Sequence, residues 1–142
     1  MIRRLVAAAM FVAASILPAT TAHAGPQGIY GTLENNTDYR MIMAEINEGA
    51  VGCTTWNKDG NATSNSYYWS RCLLSWVGAH TTTGYWTDVD AFGFNDRGYY
   101  VRFGTSGSWR WIDKWSLTRI HDWHRAVCDQ NSLGTVHCTV HG

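Results

Sequence analysis

Clusters of turn-forming residues cut the chain into short segments in which apolar, aromatic and β-branched residues alternate with polar ones. The breaks are Glu34-Asn35-Asn36, Asn47-Glu48-Gly49, Lys58-Asp59-Gly60-Asn61, Asn95-Asp96-Arg97-Gly98, Gly104-Thr105-Ser106-Gly107 and Ser132-Leu133-Gly134. Segments of this length between turn signals predict strands at 28–33, 39–46, 52–56, 67–77, 85–94, 99–103, 108–112, 127–129 and 135–140. The expected fold is mostly β, a small antiparallel β-sandwich or barrel-like domain. Two stretches leave alternatives open. Residues 39–46 (YRMIMAEI) are apolar on both strand faces, so they form a buried strand or a short helix. Over 113–126, Ile112, Trp115, Ile120 and Trp123 fall near one helical face and Asp113 could cap it, so one short helix there competes with a strand on equal terms.

The first residues follow another pattern. Arg3 and Arg4 precede an apolar run from Leu5 to Leu17 that Pro18 ends, and Ala22-His23-Ala24 is a small-x-small cleavage pattern. Residues 1–24 therefore read as a secretory signal peptide, too short to anchor the chain in a bilayer. The expected mature chain, 25–142, is one extracellular domain with no membrane anchor. Its opening, 25–33 (GPQGIYGTL), is glycine-rich and lightly apolar. It reads as a first strand or frayed tail, or as a free segment that adds to a partner's sheet through residues such as Ile29 and Tyr30.

Cysteine count strengthens the export reading. Cys53, Cys72, Cys128 and Cys138 all follow the signal, an even number in a small exported chain, which implies two disulfides. Taking Ser132-Leu133-Gly134 as a three-residue hairpin loop with Gly134 left-handed sets Asn131 against Thr135. Stepping outward then places Cys128 opposite Cys138, and Cys53–Cys72 is the remaining pair. No Cys-x-x-Cys pair is present, so no metal site is expected from the cysteines.

Charge narrows the partners. From residue 25 onward nine basic residues face eleven acids, a net of −2 with histidine neutral. The acids are scattered and no basic stripe exists, which excludes a nucleic-acid partner. Catalytic patterns are missing too. There is no Gly-x-Ser-x-Gly, and His121 and His124 in HDWH lack a His-Glu-x-x-His pattern. An enzyme would need those two histidines to converge with an aspartate. Asp88 and Asp90 share a face of the expected 85–94 strand, and a solvated edge whose charges block aggregation accounts for them. No catalytic residue, metal ligand or cofactor is assigned.

Eight tryptophans are the remaining signal. With few leucines available, most of them are expected in the core, five or six of the eight, and the exposed minority are binding candidates. Trp109 and Trp111 alternate, so on a strand they share one face and Arg110 takes the other. With Tyr99 they complete the candidate set: Trp109, Arg110, Trp111, Tyr99, Ile29 and Tyr30.

Ser108-Trp109-Arg110-Trp111 resembles the Trp-Arg-Tyr triplet of small secreted actinobacterial amylase inhibitors, which also carry two disulfides. Trp111 stands where that family has tyrosine, and the cysteine spacing differs. The aromatic, turn-rich C-terminal half is similar to small βγ-crystallin-like secreted proteins, without their calcium motifs. In profile, an exported compact domain behind an N-terminal segment, the chain resembles the adaptor subunits of actinobacterial umbrella toxin particles. The expectation is a secreted, non-catalytic protein-interaction module, an adaptor or subunit of an extracellular toxin-type assembly whose partner is another secreted protein. A hydrolase (amylase or protease) inhibitor would present Trp109 and Arg110 from a rigid turn. A carbohydrate-binding module would present coplanar exposed rings to a glycan.

Overall fold

The computed structural model describes residues 30–142, so the signal-peptide reading and Ile29 fall outside the described residues. Ten strands follow in chain order: β1 Thr32–Asn35, β2 Met41–Trp56, β3 Ser66–Val77, β4 Thr81–Thr82, β5 Ala91–Gly93, β6 Tyr99–Phe103, β7 Arg110–Ile112, β8 Ser116–Arg119, β9 Arg125–Gln130 and β10 Val136–His141. They form two sheets. The first has six strands in the order β4-β1-β9-β10-β6-β7; the second runs β3-β2-β5-β8, and β8 pairs back onto β2.

The second sheet curls because β2 bends. Its first half pairs antiparallel with β5 and its last three residues pair parallel with β8, which closes a half-barrel. The expected turn at Asn47-Glu48-Gly49 is a bulge inside this long strand. Asn47 and Gly49 adopt φ of 70° and 72°, and the register against β3 shifts between Ile46 and Val51 and again before Cys53. Left-handed residues inserted in a ladder bend a strand without reversing it. A Cβ at Gly49 would lie 2.5 Å from the Cys72 carbonyl oxygen, so the bend requires glycine there.

Two apolar clusters result. Between the sheets lie Leu33, Met41, Met43, Trp56, Phe92, Phe94, Tyr99, Val101, Ile112, Ile120 and the Cys128–Cys138 disulfide. Inside the half-barrel lie Ile42, Ala44, Ile46, Ala91, Leu117 and the Cys53–Cys72 disulfide. β2 feeds both, Met41 and Met43 to one side and Ile42 and Ala44 to the other. That explains why 39–46 is apolar on both faces, and it forms strand, not helix.

The hairpin of β9 and β10 follows the expected register. Gly134 has φ 77°, the Asn131 N–H donates to the Thr135 carbonyl, and Cys128 pairs with Cys138. Hydrogen-bonded and open pairs alternate outward from Asn131–Thr135, so Cys128–Cys138 is an open pair, where side chains come closest.

Several expectations change. Over 113–126 there is no helix: Trp115 takes a left-handed φ of 67°, and β8 buries Leu117 in the half-barrel and Thr118 on the opposite side. Only Ala91–Gly93 of the expected 85–94 strand is paired. Three pairings, β1 with β9, β6 with β10 and β2 with β8, are parallel within an otherwise antiparallel arrangement. Parallel neighbours are joined by long connections that carry no local turn signal. Residues 30–33 are not a free arm. The Gly31 carbonyl accepts from the Val89 N–H at 3.2 Å, and Leu33 is fully buried in β1. Six of the eight tryptophans are exposed, with only Trp56 buried and Trp69 partly covered. Aliphatic residues, three phenylalanines, two disulfides and Tyr99 fill the space the tryptophans were expected to fill.

Tyr99 is itself a correction, since it was a candidate for partner contact and is completely buried. Its hydroxyl lies 2.7 Å from Thr118 Oγ1, 3.1 Å from the Phe92 carbonyl and 3.2 Å from the Ser116 carbonyl. Burial pushes its phenol well above the ordinary range, so it stays protonated. Tyr99→Phe is expected to destabilise the protein by about 1–3 kcal/mol, the cost of orphaning buried acceptors. Urea denaturation followed by circular dichroism reads this directly, and an unchanged midpoint would show that the hydroxyl contributes nothing.

Candidate functional site

The candidate tryptophans gather on the outer face of the six-stranded sheet. Alternation along β6 turns Tyr99 and Val101 inward and leaves Tyr100 and Arg102 outward. In β10, Cys138 points inward, so His137 and Thr139 point out. Register then aligns Trp111, Tyr100, His137 and Asp129 across four adjacent strands. Tyr100 stacks on His137 with centroids 5.3 Å apart and planes 13° apart. Trp111 meets Tyr100 edge-on at 5.0 Å and 67°, and Trp109 meets His137 at 5.1 Å and 79°. The Arg102 guanidinium covers the Trp109 ring at 4.5 Å and donates to Thr139 Oγ1. A hydrogen bond from Trp111 Nε1 to the Asp113 carboxylate, 2.9 Å, fixes that ring. Trp109 and Trp111 remain 43% and 49% exposed, enough area for a partner to cover.

Arg110 takes the opposite side of β7, as alternation requires. Its guanidinium lies 4.6 Å above the Trp56 ring, and it donates to the Ser64 carbonyl. Trp56, Phe103, Ala62, Ser108, Trp109 and Arg110 line a groove of about 380 Å³ at this end of the molecule. Trp109 thus forms the lip between the groove and the aromatic face. Arg110 lies in a strand and folds over Trp56; it does not protrude from a turn as the inhibitor reading expected. Tyr30 is half-buried, next to the Gly31–Val89 hydrogen bond and two residues before β1. Of the expected set the structure brings together Trp109 and Trp111, with Arg110 behind them. Sequence reasoning, which named Tyr99-Tyr100 among the aromatic candidates, missed Arg102 and His137 as parts of this face. Their signal was the hairpin register itself: an inward Cys138 fixes an outward His137.

Among the described residues His121 and His124 form no ion pair or shared cluster with a carboxylate. His121 and His124 stand 5.1 Å apart, and the His121 N–H donates to His124 Nδ1 at 2.9 Å. Burial, aided by His121, holds the His124 pKa below the ordinary value, consistent with an imidazole whose Nδ1 must stay unprotonated. His80 pairs with Asp38, and His137 belongs to the aromatic stack.

Acidic residues gather elsewhere. Asp88, Asp90 and Asp122 each bring a carboxylate oxygen within 4.8 Å of the others, a donor set that could hold a cation. The solvated-edge reading of Asp88 and Asp90 is overturned. Asp90 is nearly buried, accepts from the Ile46 N–H at 2.6 Å, and forms a short charge-assisted hydrogen bond with Arg119. These bonds tie β8 to the bend of β2.

Burial, then the negative charges of Asp90, Asp122 and Glu45, push the Asp88 carboxyl above its ordinary range, and Arg119 opposes them. A raised carboxyl pKa means that the folded chain holds the proton more tightly than the unfolded chain does. Asp88 therefore costs no stability in acid, and the cost grows as pH rises from the ordinary carboxylate range through the folded pKa. Asp88→Asn is expected to raise the thermal midpoint at neutral pH and to leave it unchanged near about pH 3, where both states are protonated. Equal effects at the two pH values would remove titration of Asp88 from the explanation.

The two disulfides are those of a protein that matures in an oxidising environment. Among the described residues no helix is long and apolar enough to cross a membrane. Comparison of the chain with known protein families, with curated proteins and with solved structures gives no match.

Proposed function

We propose that this chain is a secreted protein-interaction module without a catalytic centre, and that its contact surface is the outer face of β6, β7 and β10. The observation that carries this reading is the contiguous cluster of Trp109, Trp111, Tyr100, His137 and Arg102. Tryptophan, tyrosine and arginine dominate the binding energy of protein interfaces, and such residues act when clustered and held rigid. Here the strand ladder and the Cys128–Cys138 disulfide hold them. Few rotamers remain to be frozen on binding, which lowers the entropic cost of association.

Ring geometry favours a protein over a sugar. A flat glycan surface needs rings lying in one plane, and here the Tyr100–Trp111 and His137–Trp109 ring pairs cross at 67° and 79°, so the four rings form no single platform. Such a relief fits the side chains of another protein. An extracellular assembly in which this chain is an adaptor or subunit is the setting that the export signal and the disulfides suggest.

The test is affinity capture from the producing organism's culture fluid with tagged wild type and with the double variant Trp109→Ala, Trp111→Ala. Wild type is expected to retain a partner in stoichiometric amount and the double variant to lose it, with no fall in unfolding midpoint because both rings are half-exposed. Equal capture by both proteins moves the contact off this face. If neither protein captures a partner while wild type binds an arrayed glycan, the function is carbohydrate binding.

A further inference from the structure

The groove beside Trp109 carries positive charge and no counter-charge of its own. Its volume, about 380 Å³, lies in the range of ligand sites, roughly 300–1,000 Å³. Arg102 and Arg110 both line it, and among the described residues no carboxylate does. Elsewhere on the molecule Arg97, Arg119 and Arg125 pair with the carboxylates of Asp96, Asp90 and Glu34. Among the described residues Arg102 and Arg110 form no such pair.

Both guanidinium groups are nonetheless held in place. Beneath Arg110 lies Trp56, a buried ring fixed by the hydrogen bond from its Nε1 to Thr118 Oγ1. Arg110 stacks on that ring at 4.6 Å, and its Nη2 donates to the Ser64 carbonyl at 3.4 Å. Arg102 lies 4.5 Å over Trp109, with Nε donating to Thr139 Oγ1 and Nη1 to the Thr105 carbonyl, each at 3.1 Å. The β6–β7 turn that brings Phe103, Gly107 and Ser108 to the groove is tight, since a Cβ at Gly107 would lie 2.1 Å from the Phe103 carbonyl oxygen. A guanidinium has five N–H donors, all in its plane. Stacking occupies the flat face and leaves that edge to an acceptor. The hydrogen bonds within the chain use one donor of Arg110 and two of Arg102.

We propose that this groove receives the carboxylate of an aspartate or glutamate side chain inserted by the partner protein, with Arg110 as its anchor and Arg102 beside it. This rests on the reading of the chain as an interaction module, and it names the chemistry of the partner, an acidic segment. The edge of a guanidinium matches the two oxygens of a carboxylate. Trp56 and Phe103 offer apolar surface to the methylenes that carry the carboxylate. Trp109 belongs both to the groove and to the aromatic face, so a partner segment that covers the face lies over the groove. The selection is local. Beyond residue 24 the chain has nine bases against eleven acids, so its overall field does not draw acidic partners.

The experiment is an array of random octapeptides, blocked at both termini, probed with the labelled, disulfide-intact protein. Blocking leaves side chains as the only carboxylates. Wild type is expected to select peptides that carry aspartate or glutamate next to an apolar residue. In the selected peptides, exchange of the acid for its amide is expected to weaken binding by about tenfold or more, the loss of a hydrogen bond to a charged group. Arg110→Gln in the protein is expected to have the same effect. Arg71→Gln removes the same charge from an exposed position on β3 and is expected to leave binding unchanged. Selection of no peptides, or of peptides without an acidic preference, overturns the proposal. So does equal binding by wild type and Arg110→Gln, or binding that inorganic phosphate at equal concentration abolishes, which would mark a site for simple anions. The amide peptides decide the matter even if Arg110→Gln fails to fold. Each of these failures leaves the aromatic face to be judged by its own Trp109, Trp111 double variant.

Discussion

The two sheets are joined by one buried polar chain. Trp56 Nε1 of β2 donates to Thr118 Oγ1 of β8 at 3.0 Å, and the Thr118 hydroxyl lies 2.7 Å from that of Tyr99 in β6. The Tyr99 hydroxyl can then donate onward to the Phe92 or Ser116 carbonyl. Every proton in the series has an acceptor, which is the condition under which a buried polar network orders a core and does not weaken it. Apolar contact alone would let the half-barrel slide over the six-stranded sheet. This chain of hydrogen bonds fixes one position, and with it which face of β6 looks outward. Because Tyr99 is locked inward, Tyr100 must stand among the aromatic rings of the outer face.

The same constraint explains where sequence reasoning succeeded and failed. Turn residues are local signals, so the β9–β10 hairpin and its disulfide were legible from Asn131, Gly134 and the cysteine spacing. The alternation of Trp109, Arg110 and Trp111 was legible because it needs only a strand. Tyr99 was misread because aromatic content does not say which of two adjacent tyrosines points inward. That is decided by Thr118 and by the Phe92 and Ser116 carbonyls, seven to nineteen residues away. The β2 bend was read as a turn because Asn47 and Gly49 carry the same left-handed preference in a bulge as in a reversal. Asp90 was read as solvent-facing because its partners, the Ile46 N–H and Arg119, come from distant elements.

The tryptophans were misassigned for a different reason. A core assembled from β-branched residues, methionine, phenylalanine and two disulfides needs no indole rings beyond Trp56. The excess rings then remain outside, where they lower solubility unless something covers them. Their placement is not uniform. Trp109 and Trp111 meet in one patch on the six-stranded sheet, and Trp76 with Tyr67 and Tyr68 lines the long edge of the other. The exposed aromatic residues therefore fall into two separate groups, one on a sheet face and one along a strand.

Exposure of six indoles also decides what light can report about this protein. Their emission is expected to change little on denaturation, since all six are already exposed in the folded chain. Trp56, buried beneath Arg110, is the one indole whose surroundings change completely on unfolding, and its signal is diluted by the rest. Intrinsic fluorescence is thus a weak gauge of folding here. A blue shift in the native protein reports instead the arrival of something that keeps water from the rings.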